Sequence, residues 1–195
     1  MVRIGLFGLM ASGKSTVAGW FREWGAALVD GDALGWEVHR EPGIAAAVAE
    51  SFGPGVVTAE GAIDRAALGA VVFRDRAAMA RLNAIVQPRL IERVRESMAR
   101  ETGRFVVLDA AMLTTWGLEP ELDGVVQIVA PEPARAERLR RSKGFTAEEA
   151  EARIRGQWLP EPKETKRLWI VQNDGDLAAL RRRAEAVWRD IAALA

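Results

Sequence analysis

The chain has 195 residues, 49% of them apolar, with 27 basic and 27 acidic side chains and no net charge. That length and apolar share suit one globular domain with a sizeable core, and the charge balance argues against a broad nucleic-acid-binding surface. With no cysteine and a single histidine, His39, neither a disulfide frame nor a thiolate or histidine-cluster zinc site is available. No leader-like segment precedes the first motif, and no apolar run approaches membrane-spanning length. A cytosolic protein without a membrane partner is therefore expected.

In chain order, Arg3-Ile4-Gly5-Leu6-Phe7 is short and mostly apolar, as a buried parallel strand should be. Gly8-Leu9-Met10-Ala11-Ser12-Gly13-Lys14-Ser15-Thr16 follows and reads G-x-x-x-x-G-K-S, a phosphate-binding loop. After it, Val17, Phe21 and Trp24 recur at helical spacing. Strand, glycine loop and helix form the context in which backbone N–H groups and a helix N-terminus face a polyphosphate. ATP is the expected nucleotide. Gly8, Ala11, Ser12, Gly13 and Thr16 would wrap its phosphates, Lys14 would reach the β- and γ-phosphates, and the Ser15 hydroxyl would ligate magnesium.

Ala27-Leu28-Val29-Asp30 is a second strand, closing on Asp30-Gly31-Asp32. Carboxylates at the C-terminal edge of a parallel strand lie where α/β folds bind ligands, so Asp30 and Asp32 are expected beside the loop. One of them could accept a proton from an acceptor hydroxyl; Asp-Gly-Asp is also ordinary turn chemistry. From about 34 to 102 no further parallel strand is evident, and helices are expected over Ile44–Phe52, from Asp64, and over Arg89–Arg100 after Pro88. This helical insertion is a candidate acceptor lobe for a small-molecule substrate, in which Arg65, Arg81 and Arg89 could meet an anion. An exposed charged helix face is the alternative for each of them.

Arg104–Asp109 reads as a third strand whose terminal Asp109 could hold magnesium or its water, in the manner of a Walker B aspartate. Gly124–Val129 is a fourth strand. A basic helix follows with Arg135, Arg138, Arg140 and Arg141. Thr146 and Glu149 then form a capping box for a helix running to Gln157. The two helices, about 132–158, look like an arginine-bearing lid over ATP, arginine being suited to neutralising transferring phosphoryl charge. Leu168–Val171 is a fifth strand, Asn173 and Gly175 at its end could line a nucleotide pocket, and Leu177–Leu194 is a closing amphipathic helix. The expected fold is an α/β P-loop sandwich over 1–195: a five-stranded parallel sheet with helices on both faces, a helical substrate lobe and a lid.

In this order the motifs resemble the dephospho-coenzyme A kinases, which transfer the γ-phosphate of ATP to the ribose 3′-hydroxyl of dephospho-coenzyme A. The likeness spans nearly the whole chain. Gly8–Thr16 is similar to their phosphate loop, and Asp30-Gly31-Asp32 to their Asp-x-Asp turn, in which the second aspartate is the general base. Glu41-Pro42-Gly43, Phe52-Gly53, Gly61–Leu68, Phe73, Leu82-Asn83 and Pro88 follow the family's lobe pattern; Asp109, Gln157 and Asn173 match later positions. The resemblance implies Lys14, Asp32 and an arginine such as Arg141 as catalytic groups. It implies Arg138, Asn173 and Gly175 as nucleotide contacts, and Asp32, Arg65, Gln87 and Asp109 as acceptor contacts.

The chain departs from the family at several points. Gln87 stands where the family has histidine, Ala111-Met112-Leu113 where it has Pro-Leu-Leu, and Thr115 where it has glutamate. Ser142-Lys143 replaces the lid's Arg-Asp, and Arg167-Leu168 replaces an Ala-Asp pair. Two rival readings remain open on those positions: a P-loop kinase for another nucleoside-like acceptor, and a nucleotide-binding paralogue with little catalysis.

Overall fold

Val2–Gly8 forms β1, and of its seven residues only Arg3 is exposed. A strand buried on both faces belongs at the centre of a parallel sheet, and β1 lies there. The sheet is five-stranded and all parallel, in the order β2-β3-β1-β4-β5, with β2 at Ala26–Asp30, β3 at Phe105–Asp109, β4 at Gly124–Val129 and β5 at Leu168–Gln172. All five expected strands form, with no end moved by more than one residue. The chain leaves β1 towards β2 and β3 on one side and later fills β4 and β5 on the other. The C-terminal end of β1 is thus a topological switch point, where open α/β sheets bind ligands.

This computed structural model describes residues 1–72, 74–157 and 159–195, with the backbone alone at Lys143. Phe73, in the expected lobe pattern, and residue 158, at the expected end of the lid, lie outside the described residues. Contacts divide the chain into two compact units, Met1–Gly31 with Met98–Ala195, and Asp32–Ser97.

In the first unit α1 (Lys14–Glu23) buries Val17, Ala18, Trp20 and Phe21. The last helix, α8 (Leu177–Ala192), buries Leu180, Ala184, Val187 and Ile191. These two stripes share one core with Ile4, Leu6, Val126 and Ile128 of the sheet. Burial of side chains this size contributes roughly 1.5–3 kcal/mol each. Asp176 caps α8 by accepting from Ala179 N–H at 2.7 Å. On β1 a Cβ at Gly5 would come within 2.7 Å of Leu113 Cδ1 and 2.9 Å of Leu122 Cδ1. Glycine there lets the turn after β3 lie directly on the central strand.

The basic helix, α6 (Glu132–Lys143), ends on Gly144 at φ 70, the left-handed stop that glycine accommodates. The capping box of α7 (Ala147–Arg155) is present in full: Thr146 Oγ1 accepts from Glu149 N–H at 3.2 Å and Glu149 Oε2 from Thr146 N–H at 2.9 Å. The helix stops at Arg155 rather than running to Gln157.

The Asp32–Ser97 unit is helical. It holds α2 (Gly31–Val38) from its second residue, α3 (Pro42–Phe52) and α4 (Arg65–Val72), the last capped by Asp64 Oδ1 accepting from Ala66 and Ala67 N–H. Two expectations need correction here. Asp32 does not sit in a turn beyond the strand; it lies in the first turn of α2, where a carboxylate also suits the helix dipole. The long helix does not begin after Pro88. α5 spans Arg76–Arg100 with Pro88 inside it. Proline there removes one backbone donor, yet Ala78, Leu82, Val86, Leu90, Val94 and Met98 form a continuous buried stripe on both sides of it. Burial along one face outweighs the local defect. Among the described residues no helix is long and apolar enough to cross a membrane.

Candidate active site

The phosphate loop leaves β1 at Gly8 and enters α1 at Lys14. A Cβ at Gly8 would lie 2.7 Å from both the Ile128 carbonyl and Ser12 Oγ, so glycine allows the loop to turn against β4. Gly13 has φ 102 and Ala11 φ 59, both left-handed. A side chain at Gly13 would run into the Asn173 amide; at Ala11 the left-handed backbone costs an L-residue about 1–2 kcal/mol. Alternating conformations of this kind turn successive N–H groups inwards to form an anion nest. Ser12 N–H is used internally, donating to Leu9 O at 3.0 Å, and Thr16 N–H donates to Gly13 O at 3.1 Å. The N–H groups of Ala11, Gly13 and Ser15 donate to no protein acceptor among the described residues. Donors left open in a cradle that tolerates no Cβ at Gly13 fit a chain of phosphates.

Two later segments hold the loop from behind. Asn173, 5% exposed at the end of β5, donates from Nδ2 to Ser12 O at 2.6 Å. Arg138 of α6 donates from Nη2 to Asn173 O and Oδ1 at 3.0 and 3.1 Å, and from Nη1 to Ala11 O at 3.3 Å. Both residues are at the loop, as expected, but their polar atoms serve its backbone. Gly175 lies between Asn173 and the Asp176 cap. Arg141 is elsewhere: its side chain is 77% exposed and its Nε pairs with Glu137 Oε1 at 2.6 Å. That placement gives no support to a catalytic role for Arg141. Arg140 shares the same carboxylate, and the two guanidinium groups hold the Glu137 carboxyl down at about 2.

At the strand edge Asp109 is in register with Leu6 of β1 and Asp30 of β2, which sets two carboxylates side by side. Lys14 Nζ pairs with Asp109 Oδ1 at 2.6 Å, the two side chains being 14% and 17% exposed. The Ser15 hydroxyl stands at the exposed start of α1. A hydroxyl and a strand-end carboxylate suit magnesium, which keeps several waters and takes few protein ligands.

Two residues that the sequence reading named without giving them a contact also stand at the loop. Gln157 Oε1 accepts from Met10 N–H at 2.8 Å, and Arg135, 2% exposed, places Nη1 3.5 Å from the same oxygen. Burial pulls the Arg135 guanidinium below its usual pKa. Spacing alone gave no ranking, since Arg135 and Arg138 stand three apart on α6 and so do Arg138 and Arg141.

The Asp32–Ser97 unit has its own cavity of about 380 Å³, lined by Trp36, His39, Ile63, Arg65, Leu68 and Val72 among others. The Arg65 guanidinium lies 3.5 Å from the Trp36 ring centroid, a cation–π contact. His39 Nδ1 is 2.6 Å from Gly35 O, so that nitrogen donates to the carbonyl. Arg89 is not among the residues lining that cavity. It pairs with Glu41 at 2.8 Å and Glu92 at 2.6 Å, and it holds the Glu41 carboxyl below its ordinary range. Arg81 lies over Phe52, and Gln87 is half-buried on α5 beside Pro88.

Residues 2–179 match a family model described as dephospho-CoA kinase. A protein of that name from Thermobifida fusca strain YX is 39% identical over 98% of this chain and 96% of its own length. One from Geobacillus kaustophilus strain HTA426 is 37% identical over 98% and 97%. Among solved structures, TT1252 from Thermus thermophilus superposes with a TM-score of 0.78 at 33% identity, covering 97% of both chains.

Proposed function

The chain belongs to the dephospho-CoA kinase family, and from that premise we propose how its residues phosphorylate dephospho-CoA with ATP to give CoA. The carrying observation is the family match over residues 2–179 together with a loop whose open N–H groups stand beside Lys14 and Asp109.

The loop amides and the start of α1 bind the phosphates of ATP. Lys14 turns from Asp109 to the β- and γ-phosphates as they arrive, exchanging one anionic partner for another. Ser15 and Asp109 would hold magnesium, which when bound would supply charge neutralisation for the phosphates. Asp32 accepts the proton of the acceptor's 3′-hydroxyl as that oxygen bonds to the γ-phosphorus and the bond to ADP breaks. Phosphoryl transfer needs mostly positioning and charge stabilisation, so this small set suffices. The Asp32–Ser97 unit serves as the acceptor lobe, its apolar cavity with Trp36 and Arg65 taking part of dephospho-CoA. The α6–α7 pair serves as the lid, and a cytosolic location fits the family's chemistry.

The test of the base is Asp32→Asn, assayed for ATP affinity and for turnover. ATP affinity should hold while turnover falls at least about tenfold, a typical loss for a general base. Unchanged turnover would remove Asp32 from the mechanism.

A further inference from the structure

Gln157 is fixed by two groups that can only donate. A carboxamide oxygen has two lone pairs. Here one accepts from Met10 N–H at 2.8 Å and the other faces Arg135 Nη1 at 3.5 Å. Neither partner can accept from an NH2 group, so the amide has one orientation, Oε1 towards the loop and Nε2 away. Arg135 is well placed to enforce it. Its guanidinium is buried, its Nε meets no partner, and its other contact is Glu132 at 3.8 Å. Although burial lowers its pKa, arginine stays ionised.

The Nε2 group of Gln157 meets no protein acceptor among the described residues. Gln157 lines a cavity of about 190 Å³ with Gly8, Leu9, Ala111 and Met112. Lys14, the residue that reaches the β- and γ-phosphates, points to Asp109, and Ala111 and Met112 come two and three residues after Asp109 in the chain. The cavity therefore lies on the side of the loop where the terminal phosphate belongs. Gln157 brings two N–H donors to the wall of that space, and such donors pair best with an anionic oxygen.

We propose that Gln157 donates from Nε2 to an oxygen of the transferring phosphoryl group, and that Arg135 is the positioning residue that holds the amide in the donating orientation. This rests on the kinase reading above and adds to it a contact specific to the γ end of the nucleotide.

Gln157→Glu is the informative variant. Its carboxylate still accepts from Met10 and pairs more strongly with Arg135, so the melting temperature should hold or rise. A negative oxygen, however, replaces the donor. Turnover should fall about a hundredfold, as when a transition-state donor is lost, and the Kd for ATP should rise about tenfold while that for ADP moves less than about twofold. Arg135→Met should lower turnover by a smaller factor in the wild-type background and have no further effect in Gln157→Ala, the signature of residues acting through one another.

Turnover of Gln157→Glu within about twofold of wild type, equal shifts for ATP and ADP, or strictly additive losses would each overturn the proposal. The ATP-against-ADP comparison needs no acceptor. If wild type turned over no dephospho-CoA, the kinase reading would fail while the Gln157 contact was still decided.

Discussion

The phosphate loop and the Asp32–Ser97 unit hold their charges in opposite ways. At the loop, polar contacts join positions far apart in the chain: Met10 to Gln157 across 147 residues, Ser12 to Asn173 across 161, Lys14 to Asp109 across 95. Ser12, Asn173 and Arg135 are all at least nine-tenths buried. In the helical unit Arg89 and Arg93 pair with Glu37, Glu41, Glu92 and Glu96 on the surface, and no side chain among them is less than 27% exposed. Buried long-range contacts fix geometry, because an unmade one leaves a stranded polar group. Exposed pairs contribute little and exchange readily with water. The loop is thus built to present one charge pattern, while the helical unit keeps its ion pairs on the surface and offers a separate cavity lined mostly by apolar side chains.

The largest effect should come from breaking the rigid side. Lys14→Met is expected to lower kcat/KM at least about a hundredfold, with a much smaller change in melting temperature, since charge stabilisation is the main catalytic contribution in this chemistry. Activity surviving within about threefold would remove the loop from the reaction.

Next is the cavity. Trp36→Ala removes the ring under Arg65 and should raise KM for dephospho-CoA about tenfold through lost aromatic contact, leaving KM for ATP in place. A change in the ATP value instead would reverse the assignment of the two regions.

Asn173→Ala should cost about 1–3 kcal/mol of stability, measured by urea unfolding, because the buried Ser12 carbonyl and Arg138 both lose a partner.

The smallest effect belongs to the exposed pairs, and Glu137 shows its pH dependence. Its carboxyl is held at about 2, below the ordinary glutamate range, by Arg140 and then Arg141. A depressed carboxylate contributes stability above its unfolded pKa and loses it as pH falls towards the folded value. The wild type should therefore exceed Glu137→Gln slightly in melting temperature at neutral pH, with the gap closing as pH drops from the ordinary glutamate range towards about 2. A gap that widened in acid would contradict the pairing.

The sheet was legible because each strand is a short apolar run, four of the five ending at or beside Gly8, Asp30, Asp109 or Asn173, and the loop because its glycines and Lys14-Ser15 are a local pattern. Asp64 and Thr146 were good helix starts for the same reason: capping is decided within three or four residues. The misreadings came from longer range. Pro88 reads locally as a helix boundary, and only the buried stripe from Ala78 to Met98 reverses that. Composition alone could not rank the arginines of α6. Three-dimensional placement sets Arg138 and Arg135 against the loop and leaves Arg141 in solvent beside Glu137. Gln157 was visible as a family position, yet its contact with Met10 depends on how α7 ends.

The central claim is that the loop's nucleotide gives its terminal phosphate to dephospho-CoA. The most direct measurement is ADP release by the full chain with ATP, with and without dephospho-CoA and with and without magnesium. The account predicts ADP formation matched by CoA formation only when all three are present. ADP release indifferent to dephospho-CoA, or none with every component supplied, would contradict it.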